Sequence, residues 1–192
     1  MFISNWKKEV FTIPNLLSLF RLALIPVYVG IYLNAKEPQE YVSAALILAV
    51  SCLTDLVDGF IARRFHMVSV VGKILDPIAD KLTQFTLTIC LSVKYPMLQF
   101  VLLLFVIKEV FQVVMGLIHL RRGHMLPGAL AAGKVCTAVL FLSLIVLVLF
   151  PQLDMAVVDI IAITDICFLS NAFVHYFFAY FSGDSQIQDI QE

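Results

Sequence analysis

Long apolar runs separated by short polar breaks set the pattern along this chain. The breaks combine proline, glycine or asparagine with charged residues and lie near positions 34–40, 62–72, 94–96, 121–128 and 151–154. An apolar run of about 20 residues is long enough for a helix to cross a bilayer. The pattern therefore predicts an all-α integral membrane protein, a bundle of six transmembrane helices. The predicted spans are Pro14–Leu33, Tyr41–Ile61, Lys73–Lys94, Pro96–Leu120, Ala129–Pro151 and Met155–Phe181.

The two ends of the chain differ from these apolar runs. Residues 1–12 mix Phe2, Ile3 and Trp6 with Lys7 and Lys8, which favours a short interfacial helix, with a frayed terminus as the alternative. Residues 183–192 form a polar tail, which we expect to be disordered. We find no internal repeat, and residues 1–192 are predicted to form a single membrane domain.

Aromatic residues are concentrated at the end of the sixth predicted span. Amphipathic aromatic rings are enriched where a bilayer meets water. We therefore expect an interfacial belt formed by Phe173, Tyr176, Phe177, Phe178, Tyr180 and Phe181.

The composition agrees with a membrane protein and excludes an ordinary soluble domain. The chain is 61% hydrophobic and 14% charged, whereas soluble domains are about half apolar and about a quarter charged. Its net charge of −1 gives no reason to expect a nucleic-acid partner. The four cysteines lie in separate apolar stretches, so they predict neither a disulfide framework nor a zinc site.

Four carboxylates interrupt the second and third spans. Asp55 and Asp58 lie three residues apart, and Asp76 and Asp80 lie four residues apart. Each spacing places its pair on one face of a helix. Because a charge inside an apolar segment costs several kcal/mol unless it is paired, hydrated or metal-bound, such residues indicate function. Two helices joined by the intervening turn would point all four carboxylates at each other.

An all-oxygen cluster of this kind suits a hard divalent cation. Mg²⁺ or Mn²⁺, one or two ions, would offset the mutual repulsion of the carboxylates and could clamp phosphate oxygens. Gly59 and Gly72 would let a ligand approach the backbone, and Arg63 would offer a planar fork to a phosphate. The alternative is a neutralised polar cluster that only holds two helices in register.

The spacing of these residues resembles the signature of a known family. The pattern D-x2-D-G-x2-A-R-x8-G-x3-D-x3-D runs from Asp55 to Asp80, and all eight of its fixed positions are filled. It resembles the signature of the CDP-alcohol phosphatidyltransferases. The resemblance implies a membrane enzyme of about six helices that transfers a phosphatidyl group from CDP-diacylglycerol to an alcohol and releases CMP. It also implies a homodimer.

The resemblance assigns a role to each signature position. Asp80 would be the general base and a further ligand of the metal ions. The other implied metal ligands are Asp55, Asp58 and Asp76, and the implied cytidine diphosphate pocket is lined by Gly59, Ala62, Arg63 and Gly72.

Two weaker motifs extend the resemblance toward bacterial phosphatidylglycerophosphate synthases. These are N-x-L-S-x-x-R, from Asn15 to Arg21, and Gly133-Lys134 followed by Thr137. They imply a small phosphorylated alcohol, glycerol 3-phosphate, as the acceptor. The cations expected to bind it are Lys108, Arg121, Arg122 and Lys134, although Arg121 and Arg122 could equally be topology anchors.

The fourth span departs from the phosphatidylglycerophosphate synthase pattern. Lys108 stands where those enzymes have an arginine, and Gly116 stands where they have a second arginine. The departure leaves open a cardiolipin synthase that uses phosphatidylglycerol. A cation transporter or channel is a further alternative, but the acidic residues are concentrated in one pair of spans and do not recur in related halves. A catalytically inactive scaffold would not be expected to keep all four aspartates.

The charged residues within the first and fourth spans raise the question of which way their side chains face. Arg21 could extend along its helix to the interface or reach toward the carboxylate cluster or a phosphate. Lys108 and Glu109 are sequence neighbours, which do not face each other on a helix. We therefore expect Lys108 to face the bundle interior.

The basic residues predict the orientation. They are concentrated before span one, between spans two and three and between spans four and five, whereas the other loops carry only Lys36 and Lys94. The positive-inside rule then places both termini and the carboxylate cluster toward the cytoplasm. We expect a multi-pass protein of the cell inner (plasma) membrane.

Overall fold

A computed structural model describes residues 13–36, 40–51, 54, 70–121, 124–125, 130–181 and 188–189. These residues form six helices and one pair of two-residue strands. The helices are α1 Ile13–Asn34, α2 Glu40–Ser51, α3 Val70–Lys94, α4 Met97–Arg121, α5 Ala131–Leu149 and α6 Met155–Phe181. Strands β1 His124–Met125 and β2 Gln188–Asp189 pair antiparallel.

The predicted all-α membrane architecture is confirmed. Of the described helices, α1, α4, α5 and α6 are long and apolar enough to cross a bilayer. At 1.5 Å per residue the 25 residues of α3 reach about 37 Å, which also exceeds the hydrocarbon thickness, but its first half is charged. The described part of α2 is 12 residues long, and the rest of the second predicted span lies outside the described residues.

The described chain ends and one helix boundary differ in part from the predictions. The interfacial helix predicted for residues 1–12 lies outside the described residues. The tail prediction was wrong for Gln188 and Asp189, because they pair with Met125 and His124. The third helix begins at Val70, three residues earlier than predicted, since the apolar Val70 and Val71 continue it toward the N-terminus.

Local polar groups account for several helix ends. The Asn34 side-chain amide donates to the Gly30 carbonyl at 2.7 Å and closes the last turn of α1. The Asp154 carboxylate accepts from the Ala156 amide at 3.1 Å, which caps the start of α6. Tyr95 and Pro96 separate α3 from α4, because proline cannot continue a helix ladder.

The described residues divide into two compact units, within Met1–Cys90 plus Val148–Pro151 and within Leu91–Leu147 plus Gln152–Glu192. The prediction of a single membrane domain stays a prediction. In the first unit, Ser18 of α1 contacts Asp76 of α3, and Arg21 contacts Asp80. The later residue of α1 contacts the later residue of α3, so the two helices run parallel.

In the second unit, contacts between α4, α5 and α6 give the relative directions of these three helices. Lys108 and His119 of α4 lie against Tyr176 and Tyr180 of α6, in ascending order, so these two helices run parallel. Helix α5 runs antiparallel to α6, because Gly133 near its start meets Tyr176 whereas Ser143 further along meets Asp165.

The aromatic residues of α6 only partly form the predicted interfacial belt. Tyr176 is buried at 3% exposure. The ring centroids of Phe173 and Phe177 lie 5.0 and 6.1 Å from that of Phe111 on α4. Phe173 and Phe177 therefore lie on the side of α6 that is turned toward α4. Phe177, Phe178 and Phe181 are exposed, as an interfacial position requires.

Large apolar side chains lie on the outside of the described helices. Val93, Phe100, Leu142 and Ile160 are each more than half exposed. A soluble protein rarely exposes contiguous apolar surface on this scale. Lipid therefore provides the solvent for these surfaces.

A buried carboxyl group links α5 to α6. Asp165 is 1% exposed and accepts a hydrogen bond from the Ser143 hydroxyl at 2.9 Å. Interhelical hydrogen bonds within membrane helices contribute about 0.6 kcal/mol on average and at most about 1.7 kcal/mol. We expect Ser143→Ala to destabilise the protein by about 1 kcal/mol, measured as loss of thermal stability in detergent.

The neighbouring Thr164 supplies a matched control. Its exposed hydroxyl donates to the Ile160 carbonyl of its own helix at 2.8 Å and links no second helix. Thr164→Val should therefore leave stability nearly unchanged. Equal losses in the two variants would contradict a specific link between α5 and α6.

Candidate functional site

The first half of α3 carries the described part of the acidic signature. Asp76 and Asp80 lie one helical turn apart and both are partly exposed, so their carboxylates share a face and remain accessible. Gly72 lies one further turn toward the N-terminus and is buried. The structure therefore brings these three predicted site residues onto one face of one helix.

Helix α1 supplies a buried polar face against this part of α3. Asn15, Ser18 and Arg21 are 1%, 0% and 2% exposed. The Ser18 hydroxyl donates to Asp76 Oδ1, and Arg21 Nη1 donates to Asp80 Oδ1 in an ion pair. Of the alternatives for Arg21, the reach toward the carboxylate cluster is confirmed.

The two members of the ion pair differ in exposure. The Arg21 side chain is buried at 3% exposure, whereas the Asp80 side chain is 45% exposed. The guanidinium thus holds the carboxylate from its buried side, while nearly half of the Asp80 side chain stays exposed. A buried cation that lost this carboxylate would be strongly destabilising, which accounts for the close pairing.

Several predicted site residues lie outside the described residues: Asp55, Asp58, Gly59, Ala62, Arg63 and Arg122. Their roles stay predictions. Thr54, next to Asp55, donates its hydroxyl to the Ser51 carbonyl at 2.7 Å. This is the ordinary contact of a helical threonine with its own backbone.

The donor chemistry on α3 fits a hard divalent cation. Carboxylate oxygens are the preferred protein ligands of Mg²⁺ and Mn²⁺. Within the described ranges no group of three or more His, Cys, Asp or Glu side chains could hold a metal ion. Asp76 and Asp80 would therefore need the carboxylates of Asp55 and Asp58 to complete a site, as the signature predicts.

The second unit places Lys108 as predicted. Lys108 is 2% exposed, and its ammonium lies 5.7 Å from the centroid of the Tyr176 ring. It also forms an ion pair with Glu109 at 2.7 Å. Adjacent positions on a helix do not share a face, but here the two long side chains bend toward each other. The cation is thus buried, paired and held beside an aromatic face.

The other predicted acceptor cations are accessible. Arg121 is exposed at the end of α4, and Lys134 is exposed near the start of α5. Beside Lys134, Gly133 is buried against the ring of Tyr176. Exposure at helix ends suits both substrate binding and a topology anchor, so the alternative for Arg121 stays open.

Sequence reasoning missed Asn15 and Ser18 as site residues and left Arg21 undecided. The available signal was their spacing, since Asn15, Ser18 and Arg21 recur every third residue within an apolar span. This spacing gives a polar stripe along one side of a helix. Such a stripe inside a span indicates a polar partner on another helix.

Comparison with known proteins identifies the family. A profile of the CDP-alcohol phosphatidyltransferase family matches residues 11–176. The chain belongs to this family. The match includes the acidic signature, the polar face of α1 and most of the second unit.

Individual relatives carry the names of two different enzymes. The chain is 34% identical over 131 residues to a cardiolipin synthase (CMP-forming) of Streptomyces coelicolor, which covers 67% of this chain and 61% of the relative. It is 45% identical over 71 residues to the CDP-diacylglycerol--glycerol-3-phosphate 3-phosphatidyltransferase of Escherichia coli K12, covering 37% of this chain and 38% of the relative.

A third relative is a fusion protein. The chain is 41% identical over 92 residues to a cardiolipin synthase (CMP-forming) / mitochondrial hydrolase fusion protein of Schizosaccharomyces pombe, covering 47% of this chain and 15% of that protein. In all three comparisons the chain spans less than two thirds of the relative's length.

Proposed function

We propose that this protein transfers a phosphatidyl group from CDP-diacylglycerol to an alcohol acceptor and releases CMP. The observation that carries the proposal is the pair of accessible carboxylates on α3, Asp76 and Asp80, each anchored by a buried donor from α1. Family membership supports the same reaction class. A neutralised cluster that only holds helices in register would not need an Asp80 side chain that is 45% exposed.

Asp80 is the proposed general base. Its carboxylate accepts the proton of the acceptor hydroxyl as that oxygen attacks the phosphorus of the phosphatidyl group. The bond between this phosphorus and the bridging oxygen of the anhydride breaks, and CMP leaves with the electron pair. Arg21 holds the carboxylate in place from its buried side during the transfer.

The remaining signature residues are proposed to bind the nucleotide and a divalent cation. Gly59, Ala62, Arg63 and Gly72 line the cytidine diphosphate pocket, and Arg63 neutralises part of the diphosphate charge. Asp55, Asp58, Asp76 and Asp80 would hold Mg²⁺ or Mn²⁺, one or two ions. When bound, the cation supplies charge stabilisation to the diphosphate and to the departing CMP.

Glycerol 3-phosphate is the proposed acceptor. A phosphorylated alcohol needs cations, and Lys108, Arg121, Arg122 and Lys134 are the available group. Phosphatidylglycerol is the second candidate. It is favoured by the substitutions at Lys108 and Gly116 and by the long match to a cardiolipin synthase.

The basic loops support an orientation in which the site faces the cytoplasmic side of the cell inner (plasma) membrane. We also propose a homodimer, on the resemblance to the family alone. The oligomeric state can be measured on the purified protein. The orientation can be measured by labelling the loops in whole cells.

Release of CMP distinguishes the acceptors. Purified protein in detergent, given CDP-diacylglycerol and Mg²⁺, should release CMP only when its acceptor is present. Glycerol 3-phosphate, phosphatidylglycerol, serine and inositol phosphate are tested in parallel. Release with glycerol 3-phosphate alone supports the first candidate, and release with phosphatidylglycerol alone supports the second. No metal-dependent release with any acceptor would refute the proposed transferase activity and favour a cation transporter.

A further inference from the structure

Helix α1 carries several buried polar side chains, which is unusual for a membrane span. Asn15, Ser18 and Arg21 are almost completely buried on one side of it, and its other buried residues, Tyr28 and Tyr32, are aromatic. Polar groups within a span are costly unless they are paired. Ser18 pairs with the Asp76 carboxylate of α3, and Arg21 pairs with the Asp80 carboxylate.

In both contacts a donor on α1 binds a carboxylate on α3, but one donor is neutral and the other is charged. Ser18 is a neutral donor, so it orients Asp76 without adding a positive charge beside that carboxylate. Arg21 is a cation, so it orients Asp80 and also offsets its charge. Each donor engages one carboxylate oxygen, Oδ1.

We infer that Ser18 and Arg21 are positioning residues with opposite effects on divalent-cation affinity: Ser18 raises the affinity and Arg21 lowers it while fixing Asp80 for proton transfer. This inference rests on the proposed function, because it takes Asp76 and Asp80 as the cation-binding carboxylates. It adds two residues of α1 that the acidic signature does not contain.

Loss of the Ser18 hydroxyl should weaken cation binding. Groups that orient metal ligands typically change metal affinity by 10- to 100-fold when they are removed. For Ser18→Ala we expect about a tenfold loss of Mn²⁺ affinity. Turnover at saturating cation should stay within about threefold of wild type, since Asp80 keeps its own partner.

Loss of the Arg21 charge should have the opposite effect on affinity. A positive charge beside the carboxylates repels a divalent cation. We expect Arg21→Gln to bind Mn²⁺ severalfold more tightly than wild type. Turnover should fall by about 100-fold, because Asp80 is no longer held in position. Arg21→Lys keeps the charge and a donor and should recover at least tenfold of that loss.

The experiment is a Mn²⁺ titration of purified protein, followed by electron paramagnetic resonance, with CMP release measured on the same samples. The resonance signal reports free cation directly and needs no turnover. Two controls are matched to the variants. Tyr28→Phe removes another buried hydroxyl from α1, and within the described residues that hydroxyl has no hydrogen-bond partner. Lys94→Gln removes an exposed cation from the far end of α3.

Affinity shifts of opposite sign in Ser18→Ala and Arg21→Gln, with both controls unchanged, support the inference. Shifts of the same sign, or the absence of a shift in one or both variants, overturn it and leave the proposed function intact. Ser18→Thr and Arg21→Lys keep the donors and should fold even where the deletions do not. If these two also lose more than about threefold in affinity, the inference is wrong. A wild-type protein that neither binds Mn²⁺ nor releases CMP refutes the proposed function itself.

Discussion

Asp80→Asn is expected to lower CMP release by about 1,000-fold while CDP-diacylglycerol still binds. General-base catalysis contributes about 100- to 10,000-fold, and an amide cannot accept the proton of the acceptor hydroxyl. The amide oxygen can still accept the hydrogen bond from buried Arg21, but the cation loses its counter-charge, so we also expect Asp80→Asn to be less stable than wild type. The rate is measured as radiolabelled CMP release, and binding as protection of the purified protein against thermal unfolding by the nucleotide lipid.

Asp154→Asn is the control for this variant. Asp154 caps α6 by accepting from the Ala156 amide, and asparagine caps helices about as well as aspartate. The control makes the same chemical change and should keep its full rate. If Asp80→Asn turned over within about tenfold of wild type, Asp80 would not be the base.

Gly133→Ala is expected to lower the stability of the protein by about 1–2 kcal/mol, or about 5 °C in melting temperature. A Cβ at Gly133 would lie 2.8 Å from Cε2 and 3.0 Å from Cζ of Tyr176, and closer still to its hydroxyl. Tyr176 is itself buried at 3% exposure, so the ring has little room to move. Overpacking of this kind outweighs the helix propensity that alanine gains over glycine, which is about 1 kcal/mol. The measurement is thermal unfolding in detergent.

Two other glycines provide matched controls. Among the described residues, a Cβ at Gly30 would meet nothing within 4 Å, and one at Gly116 would meet only the Tyr180 hydroxyl at 3.6 Å. Gly30→Ala and Gly116→Ala should therefore be neutral or stabilising. The double variant Gly133→Ala with Tyr176→Leu should recover part of the loss. A stable Gly133→Ala protein would show that the Tyr176 ring is not confined by this contact.

The apolar pattern was sufficient to predict the helices, because the length of each run and the breaks between runs are local properties. Tyr95 and Pro96 ended the third helix where predicted. The pattern could not predict the pairing of His124 and Met125 with the tail, since two-residue strands carry no periodicity. It also could not tell which aromatic residues of α6 face α4, which depends on the rotation of one helix about its axis.

The site was predictable where the spacing of residues along one helix defined it. Asp76 and Asp80 lie on one face of α3 as their separation requires. The burial of Lys108 was also predictable, because a charge in an apolar span is less costly facing the bundle interior than facing lipid. The donors Ser18 and Arg21 were harder to assign, because their partners lie 58 and 59 residues away. Contacts at that distance depend on how helices pack.

The ion pair between α1 and α3 has a consequence for biosynthesis. Asp80 leaves the ribosome 59 residues after Arg21, which takes about 3–12 s at 5–20 residues per second. During that interval α1 must insert with an arginine whose cost at a helix centre is about 2.5–3.5 kcal/mol. Its twelve Leu, Ile, Val and Phe residues contribute about 4–7 kcal/mol in the opposite direction. The translocon can therefore release α1 into lipid first, and the charged half of α3 then enters a membrane that already holds its counter-ion.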